Sequence, residues 1–453
     1  MPELVIEPWK VEKGTWKTEY QVKPLACWGK MKELRRKQAR EIWEAKKQGR
    51  ILILGLLDSV TALPSGLGNA VVFTLGPYFG KIMDDPALAI QCCEATEARG
   101  FGPDTCATLR IQLGSIYLGF HNRSRTGERV VPDFCLELHL CSAQSKIARE
   151  MSEHYSIPMF SVEMPPFPNA QDYFVDQMQA AIQWMEKITG KTYDDEKLIQ
   201  AVHTEWQSRV RWARICQLIQ NVPAPLDQRM LASVSVMLQV AKTSNPEVAE
   251  FLGMLLEETR DRVANHISAL GVEKARLLHE GFWPQYASGA WAPGAMLRAG
   301  AQYGAVFVGS RNSFGYYGAW DIQPDGGWEP SQTLEERGIT LHNRQEALRS
   351  LVDLFLVHAP TIQEFQLGPR VTNLLAMVRD WKINGVVFNL DRSCHGMTPA
   401  LLECRLALQK QGVPTTFYEA SYCDPREFNR VKVAETLESF FEGLGLSKLT
   451  PAG

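Results

Sequence analysis

At 453 residues the chain is too long for one hydrophobic core, so two or three domains are expected. Its 45% hydrophobic and 22% charged residues exclude a disordered chain, and a net charge of 48 − 51 = −3 gives no support to a nucleic-acid or anionic-membrane partner. The opening residues MPELVIEPWK lack the basic-then-apolar pattern of a secretory signal, and no apolar run nears the roughly 18 residues of a membrane span, so a cytoplasmic location is expected.

The first fifty residues form an N-terminal extension with four tryptophans, Trp9, Trp16, Trp28 and Trp43. It ends in a basic helical stretch, Lys30 to Arg50, with nine Lys/Arg against three Glu. Its apolar residues Leu34, Ile42 and Trp43 suit a solvated helix packed along one seam; the same charge also suits a docking arm or a local positive field. A first α/β segment, residues 51–170, follows. Strands are expected at Ile51–Leu57, Val71–Leu75, Phe134–Leu140 and Pro158–Met164, with helices between and after them, the pattern of a parallel sheet. From 171 to 280 the periodicity is helical: Phe174, Met178, Ile182 and Met185 share one face, Asp194 starts a further helix, and Asn245-Pro246 separates two more. This segment reads as an all-helical insert without strands. Residues 281–453 form a second α/β segment. It opens on an aromatic stretch from Trp283 to Trp320 and continues with strands at Ala305–Val308, Gly385–Leu390 and Pro414–Tyr418, and with helices through Leu348–Leu356, Val371–Trp381, Pro399–Gln411 and Val431–Glu442. The expected fold class is α/β, two parallel-sheet lobes of flavodoxin-like or Rossmann-like type around a helical insert.

Several chemistries leave no trace. There is no G-x-x-x-x-G-K-[ST], and Gly66-Leu67-Gly68 lacks the third glycine of a dinucleotide fingerprint, so no nucleotide site is expected in this chain. No G-x-S-x-G, H-E-x-x-H or C-x-x-C occurs either.

The ten cysteines are more informative. In a long chain without a secretory signal they are expected to be reduced, either buried or acting as thiolate ligands. Cys141 lies just past one expected strand and Cys394 four residues past another, at the strand ends where open parallel sheets present ligand-binding groups. Cys106 follows Pro103-Asp104-Thr105 at a helix start, where free N–H groups favour a thiolate. These three could converge on one iron–sulfur cluster in the cleft between lobes; scattered buried thiols are the alternative. Cys92, Cys93 and Cys135 read as buried thiols near the ligand segments, where a larger cluster could recruit one, and Cys27, Cys216, Cys404 and Cys423 as core or surface thiols.

The run Glu94-Ala95-Thr96-Glu97-Ala98-Arg99-Gly100-Phe101-Gly102-Pro103-Asp104-Thr105-Cys106 resembles the first cluster-cysteine segment of the 2-hydroxyacyl-CoA dehydratase and benzoyl-CoA reductase superfamily. Leu140-Cys141-Ser142, with Ile157-Pro158-Met159-Phe160 after a helix, resembles the second. Asn384-Gly385-Val386-Val387-Phe388 leading to Arg392-Ser393-Cys394 resembles the third, followed by Gly412-Val413-Pro414, Tyr418-Glu419 and Asp424-Pro425-Arg426-Glu427-Phe428. The resemblance runs from about residue 50 to 443. Where the dehydratases carry Pro-Glu-Glu this chain has Asp58-Ser59-Val60-Thr61-Ala62-Leu63-Pro64, and Ser142-Ala143 stands where an acidic residue often follows the second cysteine. Both departures make it look more like the benzoyl-CoA reductase branch, with a 2-hydroxyacyl-CoA dehydratase subunit or a non-catalytic electron-relay and assembly subunit as the alternatives.

The resemblance implies that Cys106, Cys141 and Cys394 hold an iron–sulfur cluster, of 4Fe-4S or larger double-cubane type. It also implies a homologous cluster-bearing subunit, separate ATP-hydrolysing activator subunits fed by ferredoxin, and an aromatic acyl-CoA substrate. His395 is then a candidate proton source or a loop histidine, and Glu163 and Glu419 are candidate proton carriers or solvated carboxylates. Arg392 and Ser393 are candidate substrate contacts, Arg392 having a helix-capping alternative. Trp291 stands for the aromatic stretch as a candidate ring contact, with domain packing as its alternative.

Overall fold

The computed structural model describes residues 16–56, 62–74, 82, 85–121, 129–164, 170–282, 292–360 and 367–450. In chain order the strands are β1 Gln21–Val22, β2 Ile51–Leu56, β3 Ala70–Phe73, β4 Phe134–His139, β5 Met159–Glu163, β6 Ile267–Ser268, β7 Ala275–Glu280, β8 Ala305–Gly309, β9 Trp320–Ile322, β10 Trp328–Pro330, β11 Gly385–Asn389 and β12 Thr415–Tyr418. The helices begin with α1 Trp28–Glu44, α2 Pro86–Glu97, α3 Ala107–Tyr117, α4 Ser142–Tyr155, α5 Gln171–Thr189, α6 Asp195–Leu218 and α7 Gln228–Ala241. They continue with α8 Pro246–Ala264, α9 Ala292–Gln302, α10 Arg311–Gly315, α11 Arg344–Leu356, α12 Leu367–Asp380, α13 Leu401–Lys410 and α14 Arg430–Gly443.

Two four-stranded parallel sheets organise the molecule, in the orders β3-β2-β4-β5 and β12-β11-β7-β8. Counted within each sheet by chain order, the first reads second-first-third-fourth and the second, from its other edge, second-first-third-fourth again. The chain therefore reverses direction across each sheet between its first and third strands, β2 with β4 and β7 with β11. Such a switch point opens a crevice at the carboxyl ends of the strands.

Alternate residues of the central strands bury against opposite faces, which is why they read as continuous apolar runs. Ile53, Phe134, Leu136 and Leu138 pack with Phe174, Met178 and Ile182 of α5, whereas Leu52, Leu54 and Cys135 pack with Leu109 and Leu113 of α3 and Ile147 and Met151 of α4. In the second sheet Leu278, Val306, Val308, Val386 and Phe388 face one core, and Leu277, Phe307 and Val387 face another with Leu437 and Phe441 of α14.

One reading needs correction. The stretch expected to be all-helical to residue 280 contains β7, a central strand of the second sheet, and the short β6. The run Ala275-Arg276-Leu277-Leu278-His279-Glu280 is poor in β-branched residues and carries three polar side chains, which hid it. All three are buried and partnered: Arg276 donates to Glu273 and to the Trp381 carbonyl, His279 shares a bond with Tyr418, and Glu280 pairs with Arg311. The long helix α6 also joins the cores, since Trp206 and Val210 pack with the first sheet's core and Trp212, Ile215 and Cys216 with the second's.

Asp194 caps α6 through the Glu196 and Lys197 amides, and Asn245, followed by Pro246, caps α8. Helix α1 buries Met31, Leu34, Gln38 and Ile42 along one seam, while Lys37 pairs with Glu247 and Lys46 with Asp133. Among the described residues no helix is long and apolar enough to cross a membrane.

Candidate metal centre

Cys106 and Cys141 are the residues immediately before α3 and α4, and Cys394 sits in the loop after β11. Cys141 follows the third strand of the first sheet and Cys394 the third strand of the second, so each stands at its sheet's switch point. All three line one cavity of about 260 Å³.

The rest of the wall comes from helical stripes. Gln228, Ala232, Ser235, Val236 and Gln239 recur along one face of α7, Thr108 and Gln112 along α3, and Ala143, Gln144 and Ile147 along α4. Phe282, Tyr316, Tyr317 and Tyr422 supply aromatic surface; the Phe282 and Tyr422 rings lie 4.7 Å apart, and Tyr316 meets Tyr317 edge-on at 5.0 Å. The small cavity, just below the roughly 300 Å³ at which small-molecule sites begin, is mostly apolar with a few convergent polar groups.

Burial pushes the Cys106 thiol above its ordinary range, against the opposing amides of Leu109 and Thr108; the neighbouring Cys141 and Asp391 push the same way as burial. Burial likewise lifts Cys394 to about 12, against the Met397 and Gly396 amides, with Cys106 and Asp391 adding to the rise. A depressed thiol at the α3 start was expected from sequence; enclosure outweighs the helix amides there. Neutral thiols that already accept backbone N–H groups are poised to give up protons once a cation takes their place. Met397 donates its N–H to Cys394 Sγ at 3.4 Å.

Among the described residues no group of three or more His, Cys, Asp or Glu side chains is gathered tightly enough to hold a single metal ion. A polynuclear cluster sets a different requirement, one thiolate per iron spread around its body. Three thiols from three segments around one cavity, beside an aromatic wall, meet that requirement for three irons of a four-iron cluster and leave one without a cysteine.

The other candidates lie elsewhere. Ser393 is buried beneath the loop: its Oγ donates to Asp391 Oδ1 at 2.7 Å and accepts the Ala107 N–H at 3.4 Å. Arg392 and Glu419 are exposed, 4.0 Å apart, and His395 is exposed on the outer side of the same loop. Glu163 ends β5, half-exposed and 2.8 Å from His139 Nδ1. None of these five is among the described residues that line the cavity. Trp291 lies outside the described residues. From the aromatic stretch Tyr316 and Tyr317 reach the wall, whereas Phe314 and Trp320 are core residues packed on Trp381.

Of the remaining cysteines, Cys92, Cys93 and Cys423 share an apolar cluster with Ala107 and Ile111. Sequence reasoning missed Gln112, Ser235 and Asn312 of the wall. The regular stripe on α7 was visible, but α7 lay in a segment read only as insert.

The family model described as 2-hydroxyglutaryl-CoA dehydratase, D-component, matches residues 87–444. The chain is 24% identical, over 77% of its length and 79% of the relative's, to the (R)-phenyllactyl-CoA dehydratase alpha subunit of Clostridium sporogenes. It is 22% identical to the (R)-2-hydroxyglutaryl-CoA dehydratase alpha subunit of Acidaminococcus fermentans, over 69% of this chain and 61% of that one. It is also 22% identical to a benzoyl-CoA reductase subunit of Thauera aromatica, over 76% of this chain and 78% of that one.

Proposed function

The chain belongs to the 2-hydroxyglutaryl-CoA dehydratase D-component family, and from that premise we propose that it is the iron–sulfur subunit of an ATP-dependent aryl-CoA reductase, which dearomatises the ring of an aromatic acyl-CoA. The observation that carries this reading is the opening of Cys106, Cys141 and Cys394 into one cavity at the switch points of two sheets. Those three would hold the cluster, 4Fe-4S or a larger double-cubane type. When bound, such a group supplies low-potential electrons, down to roughly −700 mV for its class.

The chain's own residues set the conditions around it. Amides after Cys106 and Cys394 favour thiolate charge. Phe282, Tyr316, Tyr317 and Tyr422 give a flat acyl group apolar contact and keep water from it. His395, one residue from Cys394, is the proposed proton carrier, with Glu163 and Glu419 as outer carboxylates. Arg392, Ser393 and Trp291 are proposed to act near the substrate. The proposed partners are a homologous cluster-bearing subunit and separate ATP-hydrolysing activator subunits that draw on ferredoxin. The names of the relatives, each designating one subunit of an enzyme, support a multi-subunit assembly.

A second reading, a subunit of a 2-hydroxyacyl-CoA dehydratase, is favoured by the names of two of these relatives. Anaerobic purification with iron and sulfide analysis tests both: a wild-type chain without iron ends them. Electron counting separates them, since a reductase consumes two electrons per product and a dehydratase recycles its electron.

A further inference from the structure

A fully buried arginine is rare, because its guanidinium needs acceptors wherever water is shut out. Arg370, near the start of α12, is 1% exposed and directs two of its bonds at one loop. Its Nη1 donates to the Pro399 carbonyl and its Nη2 to the Met397 carbonyl. Both acceptors belong to the loop that leaves β11, passes through Cys394 and enters α13. Helix α12 packs against α13, so the guanidinium is anchored beside the element into which that loop runs.

Met397 is held at one end and aimed at the other. Its carbonyl accepts from Arg370, while its N–H donates to Cys394 Sγ at 3.4 Å, where the Gly396 amide also acts on the sulfur. The turn closes back on itself through Thr398, whose N–H donates to the Cys394 carbonyl at 3.3 Å and whose Oγ1 donates to the Asp391 carbonyl at 2.5 Å. Those bonds lie within the loop; the two from Arg370 come from another helix and fix its carbonyl side. Arg370 is not among the described residues that line the cavity, and its route to the cysteine runs through Met397.

N–H groups aimed at the sulfur ligands of an iron–sulfur cluster stabilise the extra negative charge of its reduced state, and outer groups that orient those donors act on the same quantity. We infer that Arg370 is a positioning residue: by holding Met397 it sets the hydrogen bond on Cys394 Sγ, and with it the reduction potential of the cluster that Cys394 would help to hold. This rests on the iron–sulfur reading above and adds to it a tuning group outside the cavity.

The test uses the full chain, purified anaerobically with whatever subunits accompany it, in a redox titration followed by electron paramagnetic resonance. The signal missing from Cys394→Ala identifies this chain's cluster. Arg370→Met removes both donors and is expected to lower the reduction equilibrium constant about tenfold, a shift of about 59 mV to more negative potential for one electron. Arg370→Lys, which can still reach one carbonyl, is expected to fall between Arg370→Met and the wild type. Arg370→Gln, a neutral single donor, takes the place of Arg370→Met if that variant does not fold or hold iron, and is expected to shift in the same direction. A wild-type potential in the iron-loaded Met variant, or in the Gln variant standing in for it, overturns the proposal. Loss of iron from all three variants also overturns it, since Arg370 would then be a structural part alone. Iron content separates the two levels of argument. An iron-loaded wild type whose variants keep its potential removes only the role of Arg370; a wild type that holds no iron removes the iron–sulfur reading with it.

Discussion

The backbone N–H of Ala107 donates to Ser393 Oγ at 3.4 Å, joining the residue after Cys106 to the residue before Cys394 across 286 positions of sequence. Ser393 is held by Asp391, whose Oδ1 accepts both its hydroxyl at 2.7 Å and its N–H at 2.9 Å, while Asp391 Oδ2 accepts the Tyr422 N–H at 2.8 Å. One buried carboxylate thus sets the Cys394 loop, the Tyr422 loop and, through Ser393, the start of α3.

Asp391→Ala leaves three donors without their acceptor and is expected to cost about 3 kcal/mol. Ser393→Ala removes only the last link and is expected to cost about 1 kcal/mol. Chemical denaturation measures both. Iron content after anaerobic purification should fall further in Asp391→Ala than in Ser393→Ala; equal losses would argue against the carboxylate as organiser of the site.

Arg110 fastens the lobes together. Fully buried on α3, it donates to Glu97 Oε1 and Asp424 Oδ2 at 2.7 Å each, to Glu427 Oε1 at 3.3 Å and to the Thr105 carbonyl at 3.0 Å. Arg110→Met strands buried acids and is expected to destabilise by about 3–5 kcal/mol, with Arg110→Lys only partly restoring stability because a single ammonium cannot span three carboxylates. Burial acts to raise the Asp424 carboxyl, but the Arg426 and Arg110 guanidiniums prevail and hold it below its ordinary 3.8. A depressed folded pKa means the contribution is complete above 3.8 and is lost as pH falls below it. Asp424→Asn should therefore be less stable at neutral pH, with a shallower loss below pH 3.8 in denaturant titrations.

Each lobe also buries a neutral histidine. His121 Nδ1 shares a bond with the Tyr155 hydroxyl and His279 Nε2 with the Tyr418 hydroxyl, both at 2.8 Å. Burial lowers both pKa values from 6.5 to about 3, with His154 adding to the fall at His121. The unfolded chain takes up these protons first, so stability should decline as pH drops from 6.5 toward 3. His121→Gln and His279→Gln should each flatten that decline, read as the pH dependence of the denaturation midpoint.

Gly114 lets α2 and α3 touch. A Cβ there would stand 1.9 Å from the Cys92 carbonyl oxygen, a backbone atom that cannot swing aside. Gly114→Ala is expected to lower stability by at least about 3 kcal/mol and to displace the helix that begins after Cys106. A variant with a wild-type thermal midpoint would show that the helices separate freely.

Much of this molecule follows from residues close together in sequence. Apolar runs such as Ile51-Leu52-Ile53-Leu54 and Gly385-Val386-Val387-Phe388 mark buried strands, Asp194 and Asn245 mark helix starts, and those elements place Cys141 and Cys394 past strand ends and Cys106 before a helix. These features depend on patterns that repeat within a few residues, so composition and periodicity suffice to read them. Strand β7 escaped because Arg276, His279 and Glu280 find partners on β12 and the segments around residues 219, 273, 311 and 381, contacts that no local pattern encodes.

The shared strand order of the two sheets, the bond from Ala107 to Ser393, the Arg110 cluster and the meeting of α7 with α10 were decided by tertiary structure alone. Each joins segments whose separation along the chain gives the sequence no signal of their approach. The net charge of −3 and the ten cysteines bound what this chain can be; packing two switch points against one cavity selects the three thiols that face it and the polar groups opposite them.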